Sequence, residues 1–193
     1  MIINIRGTSG SGKTTLVREI MDLYESREPH FIQNRKRPIC YTLKQKRESY
    51  GGLPLAVLGS YENVCGGMDT IPDREQAFKL IRYWHAKRHD VIFEGVIYSD
   101  EFGRTAKLAE DGIPLLVISL TTPLETCLKR INARRREKKP DAPDGNPHTT
   151  TVRVARIQRT VERLDEAGVR TSLCSNAEAS VLIRETLGLP LEA

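Results

Sequence analysis

Apolar residues recur along this chain in short β-branched runs that alternate with longer stretches at helical spacing. Ile2 to Ile5 predicts a strand, a glycine-rich segment follows, and Leu16, Val17, Ile20, Met21, Leu23 and Tyr24 then predict a helix. Phe31-Ile32 opens a segment broken by the basic run Arg35-Lys36-Arg37, after which Ile39 to Leu43 and Leu55 to Gly59 read as strands. Asp73, following Pro72 and with Gln76 three residues on, predicts a capped helix to about His89 that buries Ala77, Leu80, Ile81 and Trp84. Val91 to Phe93 predicts a strand ending in Glu94-Gly95, and 100–110 a helix stopped by Gly112. Pro114 to Leu120 is the most apolar run, as expected of a strand buried on both faces. Thr122-Pro123-Leu124-Glu125 predicts a helix start with Thr122 as N-cap, the helix ending near Arg134-Arg135-Arg136. Lys138 to Pro147 holds three prolines and reads as a mobile flap. Val154, Ile157, Val161 and Leu164 then mark one face of a long helix that stops at Gly168. Val169 to Cys174 is a last strand, and Ser175 to Glu178 caps a terminal helix ending at Gly188.

Strands separated by helices along the whole chain predict an α/β fold of three layers, a parallel sheet with helices on both faces. At 193 residues the chain suits one domain, 1–193, with a lid segment at about 134–150. In that architecture ligands collect at the carboxyl ends of the strands, so the glycine-rich loop, Asp69, Glu94 and the lid are expected along one edge.

The segment after the first strand changes the picture most. Gly7-Thr8-Ser9-Gly10-Ser11-Gly12-Lys13-Thr14 fits G-x-x-x-x-G-K-[ST], with a strand before it and a helix after it. Glycines let the backbone pass close to an anion, and the helix start aims its positive end there. Residues Gly7 to Thr14, with Thr15 next to them, are therefore expected to hold a nucleoside triphosphate, with Lys13 on its β- and γ-phosphates and Thr14 on Mg²⁺.

Composition narrows the class further. A net charge of +5 and a pI near 9.1 favour a polyanionic partner, part of which ATP binding accounts for. The four cysteines, Cys40, Cys65, Cys127 and Cys174, have no C-x-x-C or zinc-like spacing and read as reduced packing residues. No apolar run approaches the ~18 residues of a membrane span, and the N-terminus goes straight into a strand. The expectation is a cytoplasmic protein without a membrane partner, and nothing in the pattern specifies an oligomeric state.

The P-loop, a strand ending in a carboxylate and an arginine-bearing helix running into a lid together resemble P-loop kinases of the nucleoside and nucleotide kinase type. A D-x-x-G-like stretch occurs at 100–103, but no N-K-x-D is present, which sets the chain apart from GTPases. Glu94 is the first choice for a carboxylate that holds Mg²⁺ or accepts the proton of an acceptor hydroxyl, and Asp69 the second. A helix-capping carboxylate and ordinary turn chemistry are the non-catalytic alternatives. Arg130, Arg134 and Arg135 are the candidates for charge stabilisation, with a solvated basic face as the alternative. Arg35, Lys36, Arg37, Lys44, Lys46 and Arg47 form a basic region suited to a nucleic-acid backbone, and Tyr41, Tyr50 and Tyr61 are candidates for stacking on a base or for packing. Cys174-Ser175-Asn176, after the last strand, either sits near the nucleotide base or is a simple helix cap, which is the better supported of the two.

A narrower resemblance rests on Ile3 to Thr14, Val57-Leu58-Gly59-Ser60-Tyr61, Cys65-Gly66-Gly67-Met68-Asp69-Thr70, Phe93-Glu94-Gly95 and Leu120 to Glu125. These stretches are similar to a group of small phage-encoded P-loop kinases, some of which phosphorylate 5-hydroxymethyluracil already present in DNA. The resemblance implies an ATP- and Mg²⁺-dependent kinase acting in host cytoplasm, with modified DNA as preferred acceptor. A nucleoside or nucleoside monophosphate kinase is one alternative. The other is an ATP-dependent DNA-binding switch without a phosphoryl acceptor. A DNA acceptor also requires the base to leave its stack, and no wedge residue is legible in the sequence.

Overall fold

The computed structural model describes residues 1–45 and 52–191. Lys46, Arg47 and Tyr50 of the basic and aromatic segment lie outside the described residues. A seven-stranded sheet in the order β2-β3-β4-β5-β1-β6-β7 forms the middle layer. Its strands are β1 (Ile2–Arg6), β2 (Ser26–His30), β3 (Cys40–Lys44), β4 (Leu55–Leu58), β5 (Asp90–Glu94), β6 (Leu115–Leu120) and β7 (Arg170–Cys174). The expected parallel pairing holds from β4 through β5, β1 and β6 to β7. At the other edge β3 runs antiparallel to β4, and β2 antiparallel to β3.

The helices are α1 (Lys13–Met21), α2 (Arg74–Ala86), α3 (Gly103–Glu110), α4 (Leu124–Lys138), α5 (Pro147–Glu166) and α6 (Asn176–Leu187). The two-residue period of β1 sends Ile3 and Ile5 to one face, where they pack with Leu16, Val17 and Ile20 of α1 and Ile183 of α6. Ile2 faces the opposite side, with Phe78 of α2, Leu108 of α3 and Ile157 of α5. Strands β1, β5 and β6 are buried along their whole length, which explains their predominantly apolar sequences.

Strand β2 carries no apolar pattern, and no sequence signal announces it. Its residues are mostly exposed, and it exists because its backbone pairs with β3 from Ser26↔Lys44 to His30↔Cys40. Pro29 is tolerated there because an edge strand has donors to spare. Thr122 does not cap α4 as expected. Pro123 is the N-cap residue and has no side-chain cap, while the Thr122 hydroxyl reaches Ser11 O at 2.8 Å and Asn176 Oδ1 at 3.0 Å. Asp73 does cap α2, its carboxylate accepting from Glu75 N at 2.8 Å, and Ser175 and Glu178 form a full capping box on α6. Cys40, Cys127 and Cys174 are buried and Cys65 is exposed, all four as free thiols. Among the described residues no helix is long and apolar enough to cross a membrane.

Candidate active site

The P-loop leaves β1 at Gly7 and enters α1 through Gly12, whose φ of 96° is open to glycine and strained for other residues. Helix α1 has neither a side-chain cap nor an acidic residue in its first turn. Its first N–H groups and the positive end of its dipole therefore have no anionic partner from the helix itself. A Cβ on Gly10 would lie 2.5 Å from the Cys127 carbonyl oxygen of α4, and one on Gly12 would collide with the Asn176 amide. The loop thus passes close between α4 and α6, and glycine is what permits it. Thr8, Ser11 and Lys13 are buried, and the Ser11 hydroxyl has no partner. Lys13 Nζ donates to Gly7 O at 2.8 Å and Thr8 O at 3.0 Å, both neutral acceptors. Burial pulls the Lys13 pKa below its ordinary value, opposed by the Glu94 charge. A buried ammonium, an unpartnered hydroxyl and uncapped helix N–H groups make a donor set that suits phosphate.

Glu94 ends β5, is 2 % exposed, and accepts from Thr14 Oγ1 at 2.8 Å. Burial pushes its carboxyl up to about 7, with Lys13 and then the Thr14 hydrogen bond pulling the other way. Thr14 and Glu94 together are hard oxygen donors of the kind a divalent cation takes. Among the described residues no cluster of three or more His, Cys, Asp or Glu forms an all-protein metal cage.

Asp69 lies on a 3₁₀ turn, Met68–Thr70, beside Glu94. Its carboxylate accepts from Val96 N at 2.6 Å and Ile97 N at 3.1 Å, so it fastens the loop that follows Glu94. Gly67, at φ +82°, packs directly on Glu94, and a Cβ there would lie 2.7 Å from the Glu94 backbone oxygen and closer still to Oε1. Gly67→Ala is therefore expected to displace the carboxylate and to add backbone strain of about 1–3 kcal/mol. Chemical denaturation and turnover measured together test this, and no change in either would mean that Glu94 does not depend on that contact.

Two of the three candidate arginines meet the loop and the cleft. Arg130 donates to Gly10 O at 3.1 Å, and Arg134 to Cys65 Sγ at 3.3 Å. They are four apart on α4 and share one face. Arg135 is turned off that face and donates instead to Pro143 O at 3.1 Å. With the Arg136–Asp144 pair at 2.6 Å and Gly145 N on Asn132 Oδ1 at 2.7 Å, it ties residues 139–146 back to α4. The expected flap is thus a fastened connection, and the cleft-facing arginines sit on the helix before it.

The basic run lies at the rim. Arg35 donates to Thr70 O at 2.6 Å, which holds Lys36 and Arg37, both exposed, next to the Asp69 turn. Tyr41 and Tyr61 are buried against one another edge to face at 6.2 Å. Tyr41 OH donates to Glu62 at 2.6 Å and accepts from Tyr61 N at 3.2 Å. Neither ring presents a free face, so packing rather than stacking on a base is what the fold assigns them. Ser175 is the helix cap, and Asn176 lines the cleft.

Two arginines that brace the site went unread in the sequence. Arg18, on α1, grips the carbonyls of Tyr61, at 2.9 Å, and of Asn63. Arg6 is fully buried and donates to Asn4 Oδ1, Ser99 O, Glu101 O and Thr105 Oγ1 at 2.6–3.1 Å. Burial lowers its pKa to about 10, and Glu101 opposes that shift. Ser99 Oγ in turn touches Gly7 N at 3.2 Å and Gly95 O at 2.7 Å, joining the P-loop to the end of β5. A lone arginine at a strand end carries no signal that separates this clamp from a surface charge.

These groups surround one cleft of about 630 Å³, lined by Lys13, Thr14, Arg18, Asp69, Glu94 and Arg130 among others. A P-loop facing a strand-end carboxylate, with arginines arriving from a helix beyond it, defines a P-loop kinase. An AAA domain family model matches residues 3–150, and the chain belongs to that family. Its relatives narrow the class. It is 44% identical over 168 residues to a 5-hmdU DNA kinase of Pseudomonas phage PaMx11, covering 87% of each chain. It is 33% identical over 161 residues to a 5-hmdU DNA kinase of Pseudomonas phage M6, covering 79% of this chain and 82% of that one. A 5-hmdU DNA kinase of Bacillus phage SP10 matches at 26% over 182 residues, 88% of this chain but 26% of that longer protein. The chain belongs to the family of these phage kinases.

Proposed function

We propose that this kinase transfers the γ-phosphoryl of ATP to the 5-hydroxymethyl group of 5-hydroxymethyluracil in phage DNA. The observation that carries the reading is the Thr14–Glu94 hydrogen bond of 2.8 Å, which joins the P-loop to a buried carboxylate with a pKa near 7. The acceptor is taken over from the activity named for the PaMx11 and M6 relatives.

In this reading residues Gly7 to Thr15 bind the triphosphate, and Lys13 leaves its two loop carbonyls for the β- and γ-oxygens. Thr14 and Glu94 hold magnesium, which neutralises phosphate charge when bound. Glu94 also takes the proton of the attacking hydroxyl, from its place at the end of β5 beside the P-loop. Asp69 positions the loop behind Glu94. Arg130 and Arg134 offset charge on the transferring group, and Arg135 acts on them indirectly, by bracing the connection at 139–146. The exposed Lys36 and Arg37 contact the DNA backbone, with Arg35 setting their loop against the Asp69 turn.

The test is a panel of acceptors with γ-labelled ATP: thymidine, 5-hydroxymethyldeoxyuridine, their monophosphates, plain duplex DNA and duplex DNA containing 5-hydroxymethyluracil. Label on the modified DNA alone is expected. Label on a free nucleoside or monophosphate would overturn the DNA acceptor and keep the kinase. ADP release stimulated by DNA with no labelled product would overturn both in favour of a nucleotide-driven DNA-binding switch.

A further inference from the structure

Resting on the reading of a DNA acceptor, we infer that Val64 is the wedge that takes the place of the modified base in its stack. The 60–67 loop that carries it is built as a fixed projection. Its neck is closed by the Ser60–Gly67 bridge, with Gly67 N on Ser60 O at 2.9 Å. The Thr70 hydroxyl accepts from Ser60 N at 2.9 Å and donates to Gly67 O at 2.7 Å. Tyr61 anchors one limb in the core, and Arg18 holds that limb by the carbonyls of Tyr61 and Asn63. Glu62 is held by Tyr41 at 2.6 Å.

At the tip of this braced loop Val64 is 59 % exposed and packs in neither core cluster. It nevertheless lines the cleft that holds Glu94 and Arg134. A mostly exposed isopropyl group on a cleft wall gains little for stability, and its single stiff χ1 angle lets it act as a rigid body. Glu94 is 2 % exposed inside a cleft of about 630 Å³ that must also hold a triphosphate. A duplex cannot enter such a space, whereas one unstacked base can, so chemistry at Glu94 on a base in duplex DNA requires that base to turn out of the helix. Proteins that part base steps insert apolar side chains such as Leu and Ile, of which Val is the shorter branched counterpart, and hold the flanking phosphates with basic groups. Lys36 and Arg37, exposed next to the Arg35 that holds Thr70 at the neck of this loop, supply such contacts.

The experiment compares two acceptors carrying one 5-hydroxymethyluracil, a duplex and the same strand unpaired, with wild type, Val64→Ala and Val64→Ile. The quantity read is the ratio of duplex to single-strand kcat/KM. Since the wedge fills the gap left in the stack, Val64→Ala should lower that ratio by about tenfold or more, and Val64→Ile should restore it. Equal loss on both acceptors would overturn the wedge and make Val64 a wall of the base or nucleotide pocket. No loss on either would overturn it outright. Wild-type label confined to single strands would overturn the wedge while the DNA kinase reading stands. Label on free nucleoside with none on either DNA would overturn that reading and this inference together.

Discussion

Glu94→Gln should lower turnover by about 10²–10⁴, the range expected when a positioned general base is removed, while ATP binding changes little. The amide keeps the volume of the buried side chain and the contact with Thr14, so what is lost is the negative charge offered to magnesium together with the ability to take a proton. Burial raises the carboxyl to about 7 and bound magnesium would lower it, so kcat/KM should rise with pH below about 7 in wild type and flatten in the variant. A loss confined to ATP affinity would make Glu94 a nucleotide-positioning residue instead.

The same substitution has a stability signature of known sign. Glu94 is raised from 4.5 to about 7 on folding, so between those values the folded state holds a proton that the unfolded state has released. Its contribution to stability is therefore most favourable below about pH 4.5 and declines until the pH passes about 7. Above that, the native protein carries a buried charge at a cost of roughly 3 kcal/mol, which the neutral amide avoids. Glu94→Gln should then raise Tm at pH 8 and leave it nearly unchanged at pH 4.5. A variant equally or more destabilised at pH 8 would mean that cations around Glu94 hold it ionised at no cost.

Lys13→Ala should abolish phosphoryl transfer, by at least about 10³, because the reaction depends on cations placed at the phosphate oxygens. The fold should survive. Lys13 is buried with neutral carbonyls as acceptors, so its charge is a burden on the isolated protein. Far-UV circular dichroism and thermal melts beside the labelled-ATP assay separate the two effects. Lys13→Met, which keeps the apolar stem, distinguishes a folding loss from a chemical one. Retained transfer in a folded variant would remove the P-loop lysine from the reaction.

The parts of the site that were legible in the sequence are those whose chemistry is local. Gly7 to Thr14 was readable because a phosphate-binding turn needs its glycines, lysine and threonine at fixed spacing between a strand and a helix. Glu94 was readable because a charge directly after Val91-Ile92-Phe93 must emerge where a buried strand ends. Asp73 and Ser175 were readable because caps are satisfied within a few residues. Arg135 and the tyrosines were not. Arg134 and Arg135 look alike in a basic run, and only the 100° turn between them, read against a neighbouring loop, sends one to the cleft and the other to Pro143. Tyr41 and Tyr61 have hydroxyls that suit a rim and rings that suit a core, and the packing of β3 on the 60–67 loop chose the core.

By itself the sequence determined the alternation of strand and helix, the triphosphate loop and the carboxylate opposite it, because each depends on hydrophobic period or on groups adjacent along the chain. Tertiary structure alone decided the antiparallel edge at β2, the burial of Arg6 as a clamp and the service of Asp69 to backbone N–H groups. It also decided the exposure of Val64 in the cleft that holds Glu94. In each case the partner is distant in sequence: Lys44 for Ser26, Glu101 for Arg6, Val96 for Asp69. A polar or apolar side chain takes its role from what faces it, and what faces it is known only once the chain has closed.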